Sequence, residues 1–498
     1  MDYKDNMIYL YINFKMIIPE SEIISVLREF NPWWYGQELG SLPSWSRSAG
    51  SEIQQWVASD AKRALLLLGP RQVGKTTLFR QTIRDLLEHG TDPRSILYVT
   101  FDSPQLKLAG ADQLLRVWKN LWSEPPQSPI YLFLDEIQYV ADWQTWIKHQ
   151  VDFHPEWRIA ATGSAIPLSE SPESGVGRWK TIKLPTLSFY EYLRLRKVEL
   201  PTAIPKVESF LELPDWNAGD FAMVSAAAEP LVAHFHEYLM RSGFPEPAQA
   251  TTVAECQRLL REDAIDKVLK RDMTAIFGVR SILEMEKLFI YLCFHDGGIV
   301  NPGTLAKELE GVSKQTVVNF LEIFEASHLL YRLRPHGYGK EVLRGQSKYY
   351  LADPAISGSV LLLGERLLEA KEKLGAAVEA AFYKHLFTRY YSQAIAFSYW
   401  QSKKDRNKEV DVIGELGDQL IPFEVKYEDA RINEGKIPGL RLFCEEKSVD
   451  RGYVITRRLD EFGVLPVHSA RHGRGRELLP TRVLKIPAPL ACLWLSMR

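Results

Sequence analysis

Leu65-Leu66-Leu67-Leu68-Gly69-Pro70-Arg71-Gln72-Val73-Gly74-Lys75-Thr76-Thr77 reads as an apolar strand, a glycine-bounded loop and the start of a helix. Gly69 to Thr76 satisfy G-x-x-x-x-G-K-[ST] at every fixed position, in the strand-loop-helix context that motif needs. Its glycines let the backbone curl so that N–H groups point at phosphate oxygens. Lys75 is expected to reach the β/γ-phosphates and the Thr76 hydroxyl to ligate Mg²⁺. The helix from about Thr76 to Leu87 aims its positive end at the same anion. Pro70, Arg71, Gln72, Val73 and Thr77 complete the expected nucleotide-binding loop.

Outward from this loop, Ser95–Phe101 is a β-rich run. Ile130-Tyr131-Leu132-Phe133-Leu134-Asp135-Glu136 is a buried strand with two carboxylates at its carboxyl end, where ligands sit in open α/β sheets. Behind a phosphate loop, Asp135 is expected to hold Mg²⁺ and Glu136 to polarise the attacking water. The extra strand between the loop and this acidic strand indicates the class of P-loop ATPases that includes AAA+ and RecA-like motors, with ATP and Mg²⁺ as cofactors. Arg158–Ser164 is the next strand. Thr162 or Ser164 at its end is expected to sense the γ-phosphate or place the water, the alternative being a plain strand-end turn. Arg178 follows in a Gly-rich stretch. It is either a surface arginine or a finger acting on a neighbour's nucleotide, a group worth roughly 10³–10⁵ in rate.

At 498 residues the chain exceeds one core, and roughly three or four domains are expected. A net charge of −2 means that any nucleic-acid surface is a local patch rather than a global field. The scattered Cys256, Cys293, Cys444 and Cys492 have no metal-ligand spacing and fit a reducing cytoplasm. No apolar run is long enough to span a membrane. Met1-Asp2-Tyr3-Lys4-Asp5 resembles a truncated epitope tag, so Met7 or Met16 is a candidate start. Tyr9–Phe14 is too short for a signal segment. A helix is expected at about Glu20–Phe30, then Trp33 and Trp34, which either pack an amino-terminal arm onto the core or form a docking surface.

From Leu184 to about Ser281 the pattern is helical, with helices at Phe189–Arg196, Pro230–Met240, Val253–Lys270 and Leu283–Phe294, as in a lid over nucleotide. Gly298–Arg334 reads as a helix-turn-helix. Asn301 caps the first helix, and Lys314–Phe324 is the second. Leu329–Leu333 and Lys348–Leu351 pair as a wing. That geometry puts the start of the second helix in the major groove, with Lys314, Lys340, Arg344 and Lys348 as phosphate contacts. The alternative is a protein-protein module.

The last stretch carries a helix from about Leu374 to Tyr390 and strands at Ala396–Trp400, Glu409–Ile413, Leu420–Lys426 and Arg451–Thr456. Glu424 and Lys426, two apart on a strand, share a face. Asp411 lies on the hairpin partner, and Glu379 is on the helix. Asp411 and Glu424, with Glu379 as a third carboxylate, are candidate Mg²⁺ ligands. Lys426 is positioned to orient or deprotonate a water. Polar faces on a surface sheet are the alternative.

Asn31-Pro32-Trp33-Trp34, the Gly69–Thr77 loop, Phe133–Glu136, Thr162-Gly163-Ser164, Leu187–Glu191, Gly243–Glu246, and Glu409–Asp411 with Glu424–Lys426 together resemble one family. It is the large prokaryotic group of AAA-type ATPases whose C-terminal domain of unknown function is similar to PD-(D/E)XK nucleases. The likeness runs over nearly the whole chain after about residue 25. It implies an α/β chain with an ASCE-class P-loop ATPase core, a helical lid, a winged helix and a restriction-endonuclease-like α/β domain. The expected layout is an arm over 1–60, core 61–200, lid 201–285, winged helix 286–355 and nuclease-like domain 356–498. Two positions depart from the pattern. Ala165 stands where a second serine is common. Gln401 stands where an arginine is expected, which counts against full nuclease competence. The resulting expectation is a cytoplasmic, Mg²⁺-dependent ATPase working on DNA as a homo-oligomer, a hexamer being one form. The opposing readings are a nucleotide-dependent switch that binds a protein partner, and an ATP-gated nuclease.

Overall fold

A computed structural model describes residues 18–59, 62–164, 177–309, 312–337, 339, 342, 345–393, 395–467 and 481–497. Candidate starts Met7 and Met16, the Tyr9–Phe14 run, Ala165, Lys340 and Arg344 lie outside the described residues. The chain divides into two compact units, one of residues 1–69 and 74–184, the other of 70–73 and 185–498.

The first unit is built on five strands: β1 (Ala64–Leu68), β2 (Ile96–Thr100), β3 (Ile130–Asp135), β4 (Trp157–Gly163) and β5 (Trp179–Lys183). All pairings are parallel, in the order β2-β3-β4-β1-β5. β1 and β3 are buried along their whole length, which is why both read as unbroken apolar runs. The strand that separates the phosphate-loop strand from the acidic strand in space is β4. β2, the strand between them in sequence, takes the edge. Parallel pairing brings the carboxyl ends of β1, β3 and β4 to one side of the sheet, and the loop, Asp135 and Thr162 sit at those ends.

The helix Glu20–Phe30 forms as expected, with Ile23 and Leu27 buried. The tryptophan pair then clamps the arm to the edge strand β2. Trp33 and Trp34 are buried, and their Nε1–H groups both donate to the Ile96 carbonyl, at 3.3 and 2.9 Å. Asn31 imitates a further strand, donating to Tyr98 O at 2.9 Å and accepting from Tyr98 N at 2.7 Å. This satisfies backbone groups that an open edge would leave unpaired.

Among its described residues the second unit carries nine strands: β6 (Gly298–Val300), β7 (Leu330–Pro335), β8 (Ser347–Leu351), β9 (Ile395–Gln401), β10 (Glu409–Leu416), β11 (Gln419–Lys426), β12 (Arg451–Thr456), β13 (Gly463–Val467) and β14 (Thr481–Pro487). They form one sheet in the order β13-β14-β12-β11-β10-β9-β7-β8-β6. The stretches expected as a winged helix and a separate nuclease-like domain therefore share a sheet. Their junction is a short parallel pairing of β7 with β9, Arg334 with Ser398 and Pro335 with Tyr399. Helices Phe189–Leu195, Glu229–Arg241 and Ile282–Phe294 fall where the periodicity puts them. The long helix expected from Val253 is α-helical only to Leu259, with wider π-type turns beyond. Asn301 caps Pro302–Glu308 and Ser313 caps Lys314–Ala326 through their side chains, as the capping pattern indicates. The helix Lys371–Tyr390 starts earlier than expected. The four cysteines are buried free thiols. Among the described residues, no helix is long and apolar enough to cross a membrane.

Candidate functional site

The loop after β1 has the backbone its glycines permit. Gly74 adopts φ 97° and caps the helix Lys75–Glu88, and Gln72 adopts φ 60°. A Cβ at Gly69 would overlap the Leu184 carbonyl oxygen, so only glycine lets β1 turn there. Lys75 is buried at the helix start, and its Nζ donates to Gly69 O at 2.9 Å, which folds the ammonium back over the loop.

At the end of β3, Asp135 is 3% exposed. Among the described residues its hydrogen-bond partners are three hydroxyls: Thr162 Oγ1 at 2.5 Å on Oδ1, and Thr76 Oγ1 at 2.7 Å and Tyr98 Oη at 2.8 Å on Oδ2. Burial first, then the neighbouring Glu136 charge, raises the Asp135 carboxyl above its usual range against the pull of those hydroxyls. A divalent cation would relieve that tension, and the hard oxygen set fits Mg²⁺. Thr76 and Asp135, expected to share the metal, are in direct contact.

Glu136 is held in the left-handed region, φ 55° and ψ 46°, a costly conformation for a non-glycine residue that aims its side chain. Its N–H donates to Thr162 Oγ1 at 3.0 Å, so Thr162 links the backbone of Glu136 to the carboxylate of Asp135. The Glu136 carboxylate accepts from Gln138 Nε2 and, at 3.2 Å, from Ser164 Oγ. Gln138 also donates to Ser164 at 2.9 Å. Thr162 and Ser164 thus both belong to this network. Tyr98 and Gln138 were not anticipated. Gln138 was visible as a lone amide two residues beyond the acidic pair, and Tyr98 as the hydroxyl in an apolar strand. Arg178 stands at the amino edge of the sheet, just before β5, with Nε 3.1 Å from Asp152 Oδ1.

A second set of carboxylates lies in the other unit. The pairing of β10 with β9 shifts register between Val410 and Ile413, and this bulge carries Asp411. Asp411 Oδ2 accepts the Val425 N–H at 2.8 Å. Glu424 and Lys426 share a face as expected, Nζ to Oε1 2.6 Å. Glu379, from the helix Lys371–Tyr390, also faces this cluster. The counter-charge comes from Lys348. Its Nζ lies 2.7 Å from Glu379 Oε1, 3.1 Å from Asp411 Oδ1 and 3.5 Å from Glu409 Oε1, and Tyr350 Oη donates to Glu379 Oε1 at 2.6 Å.

Lys348 therefore does not stand on an open wing. It is 2% exposed and engaged by carboxylates, which corrects its reading as a phosphate contact. Burial opposes its charge, but Glu379, Tyr350 and Asp411 hold its pKa well above the usual value. Burial and then the Asp411 charge push Glu379 up to about 7 and Glu424 up to about 8. Burial would also lift Asp411, but Lys348 and then Lys426 hold it below its usual range. Among the described residues, no three His, Cys, Asp or Glu side chains converge in an arrangement able to hold a metal ion. Of the remaining expected DNA contacts, Lys314 is exposed at the start of its helix.

The first unit has the parallel α/β sheet and the strand-loop-helix of a P-loop ATPase core. Residues 61–193 match the family model described as an AAA domain. Residues 232–367 and 374–469 match models of two domains of unknown function (DUF8612 and DUF4143). The chain is similar to an uncharacterized protein of Haemophilus influenzae, 24% identical over 370 residues, covering 73% of this chain and 82% of that one. It is also similar to the uncharacterized protein MJ1637 of Methanocaldococcus jannaschii, 26% identical over 311 residues, covering 61% of this chain and 63% of that one. Among solved structures, the chain is similar to a mutant of Thermotoga maritima RuvB, 14% identical, covering 57% of this chain and 88% of that one, with a TM-score of 0.28.

Proposed function

We propose that the chain is a Mg²⁺-dependent ATPase that works on DNA as a homo-oligomer. The observation that carries the ATPase reading is the linkage at the ends of β1, β3 and β4. Thr76, Asp135 and Thr162 form one hydrogen-bonded series, and Glu136 is held beside it by Thr162, Gln138 and Ser164. In this reading the loop from Gly69 to Thr77 cradles phosphates. Lys75 turns from the Gly69 carbonyl to the β/γ oxygens. Glu136 takes the proton of the attacking water, and Thr162 keeps Asp135 and Glu136 in register. Mg²⁺, when bound by Thr76 and Asp135, supplies charge neutralisation at the phosphates. Arg178 would act on a neighbour's nucleotide, since its strand edge is opposite its own phosphate loop.

The DNA part rests on the exposed start of the helix Lys314–Ala326, where Lys314 and Gln315 stand on the surface behind a Ser313 cap. The test is ATP turnover of the intact chain with duplex, branched and single-stranded DNA, beside Lys314→Ala. Stimulation by one of these DNAs, weakened in the variant, is expected. Turnover indifferent to every DNA would leave the regulatory-switch reading, which the lysine-filled carboxylate cluster of the second unit also favours over a nuclease.

A further inference from the structure

The cluster around Asp411 gathers carboxylates, and the cation among them is a lysine ammonium. Glu379, Glu409 and Asp411 converge on one ammonium, that of Lys348. An ammonium carries three N–H donors, and here three carboxylates surround it. A hard divalent ion sits about 2.0–2.6 Å from its oxygens. Lys348 Nζ is already 2.7 and 3.1 Å from Glu379 Oε1 and Asp411 Oδ1, so an ion sharing those oxygens would overlap the nitrogen and meet its charge. The lysine is fixed by its strand. β8 lies between β7 and β6, with Lys348 in register with Leu333 on one side and Ile299 on the other. Withdrawing the side chain would leave buried carboxylates facing one another, which is costly without a cation. Lys348 also lies in the 232–367 match, whereas Glu379, Glu409, Asp411, Glu424 and Lys426 lie in the 374–469 match. One segment thus supplies the positive charge that another segment's acids require.

We infer that Lys348 is the resident counter-ion of this centre. It occupies the place of a divalent cation, keeps the intact chain from binding Mg²⁺ or Mn²⁺ there, and ties β8 to the strand bearing Asp411. Removing this one ammonium leaves Asp411 and Glu379 without their counter-charge, and a divalent cation would take its place between them. Lys426, whose own contact is with Glu424, does not substitute for it.

The experiment is calorimetric titration of Mn²⁺ without nucleotide into the full chain carrying Asp135→Asn, which silences the phosphate-loop metal site. Lys348→Met and Lys348→Met/Glu379→Gln are made in the same background, and melting is followed with and without Mn²⁺. The parent is expected to give no saturable heat. Lys348→Met is expected to bind a single Mn²⁺ and to melt several degrees higher with the metal than without it. The double variant, which loses one charge of each sign, is expected to fold without Mn²⁺ and to bind it at least tenfold more weakly than Lys348→Met. If Lys348→Met folds only in the presence of Mn²⁺, the exchange of lysine for metal is supported directly. Saturable binding by the parent that disappears on adding Asp411→Asn would overturn the inference. So would a folded Lys348→Met that takes up no metal, or one that stays unfolded even with Mn²⁺.

Discussion

The two units each bury carboxylates beside a sheet, and they complete them in opposite ways. Around Asp135 the partners are hydroxyls, which orient the carboxylate without cancelling its charge. Around Asp411 and Glu379 the partner is a buried lysine whose single charge offsets part of theirs. The first arrangement keeps a debt of negative charge that a metal-nucleotide complex can settle. The second already holds a cation of its own and serves cohesion. Paired acids on neighbouring strands therefore do not define a metal centre by themselves. What faces them decides, and that group can come from a distant part of the chain.

The largest effect that bears on this contrast is expected in the first unit. Lys75→Ala should abolish nucleotide binding, because the buried ammonium over the loop is the charge the phosphates meet. Glu136→Gln should retain the nucleotide and lose turnover by about 10²–10⁴-fold, the usual range for a positioned general base. Binding of a fluorescent nucleotide and release of phosphate separate the two variants. Parental turnover in Glu136→Gln would remove Glu136 from the chemistry.

Stability should reverse the ranking of the two centres. Lys348→Met leaves buried carboxylates uncompensated and should cost about 3–5 kcal/mol. Asp135→Asn removes a charge that burial already opposes and keeps hydroxyl partners, so its cost should stay within about 1 kcal/mol. Denaturant unfolding of the intact chain, read for each unit with tryptophan and circular-dichroism signals, checks both. Equal costs would mean that the two centres are built alike after all.

How much of this was legible in the sequence follows from the range of the interactions. The phosphate loop, Asp135 and Glu136 are readable because strand, turn and helix are local patterns, and the parallel sheet brings their ends together without further information. Asn301 and Ser313 are readable as caps for the same reason. Lys348 is not. Its strand looks like a wing and its charge like a phosphate contact, and only the pairing of β7 with β9 turns it toward Asp411. The bulge at Asp411 is equally silent in the sequence. The late strands β13 and β14 and the helices Pro438–Lys447 and Ala488–Ser496 carry no motif like that of the phosphate loop, although Leu440, Phe443 and Cys444 give Pro438–Lys447 a readable helical face. Gln138 was overlooked because one amide has no signature until Ser164 is seen beside it.

That amide gives a smaller test on the catalytic side. Gln138 touches Glu136 and Ser164 but is not itself a base, so it acts by positioning. Gln138→Ala should lower turnover between about tenfold and 10²-fold, as loosened geometry does, while nucleotide affinity stays near the parental value. Gln138→Glu would set a second carboxylate against Glu136 and should shift the pH dependence of turnover upward. An affinity loss matching the rate loss would show that Gln138 supports the fold of the loop rather than the aim of Glu136.

A last test addresses the rule behind the comparison, that a buried positive charge persists only where a carboxylate faces it. Lys384 and His385 are neighbours, both buried. Lys384 Nζ lies 3.4 Å from Asp353 Oδ2. His385 has no such partner in its hydrogen bonds. Its Nε2 accepts the Phe189 N–H at 2.8 Å, capping a helix start, and its Nδ1–H donates to the Ala381 carbonyl at 2.6 Å. The contact at Nε2 requires the neutral ring, whereas the Nδ1–H donor would survive protonation. Burial first, then the Lys384 charge, pushes His385 down to about 3 from its ordinary 6.5. With the folded value depressed below the unfolded one, its contribution is fully present above the unfolded value of 6.5 and is lost as pH falls toward about 3. Over that window the unfolded chain binds a proton the folded chain refuses, so stability should fall by up to about 1.4 kcal/mol per pH unit from this residue. Denaturant midpoints at pH 7.5 and pH 5 for the parent and for His385→Asn measure the difference. The variant should start less stable and show a shallower acid slope. An unchanged slope would mean that His385 takes up its proton inside the fold, and that a buried cation there needs no facing carboxylate.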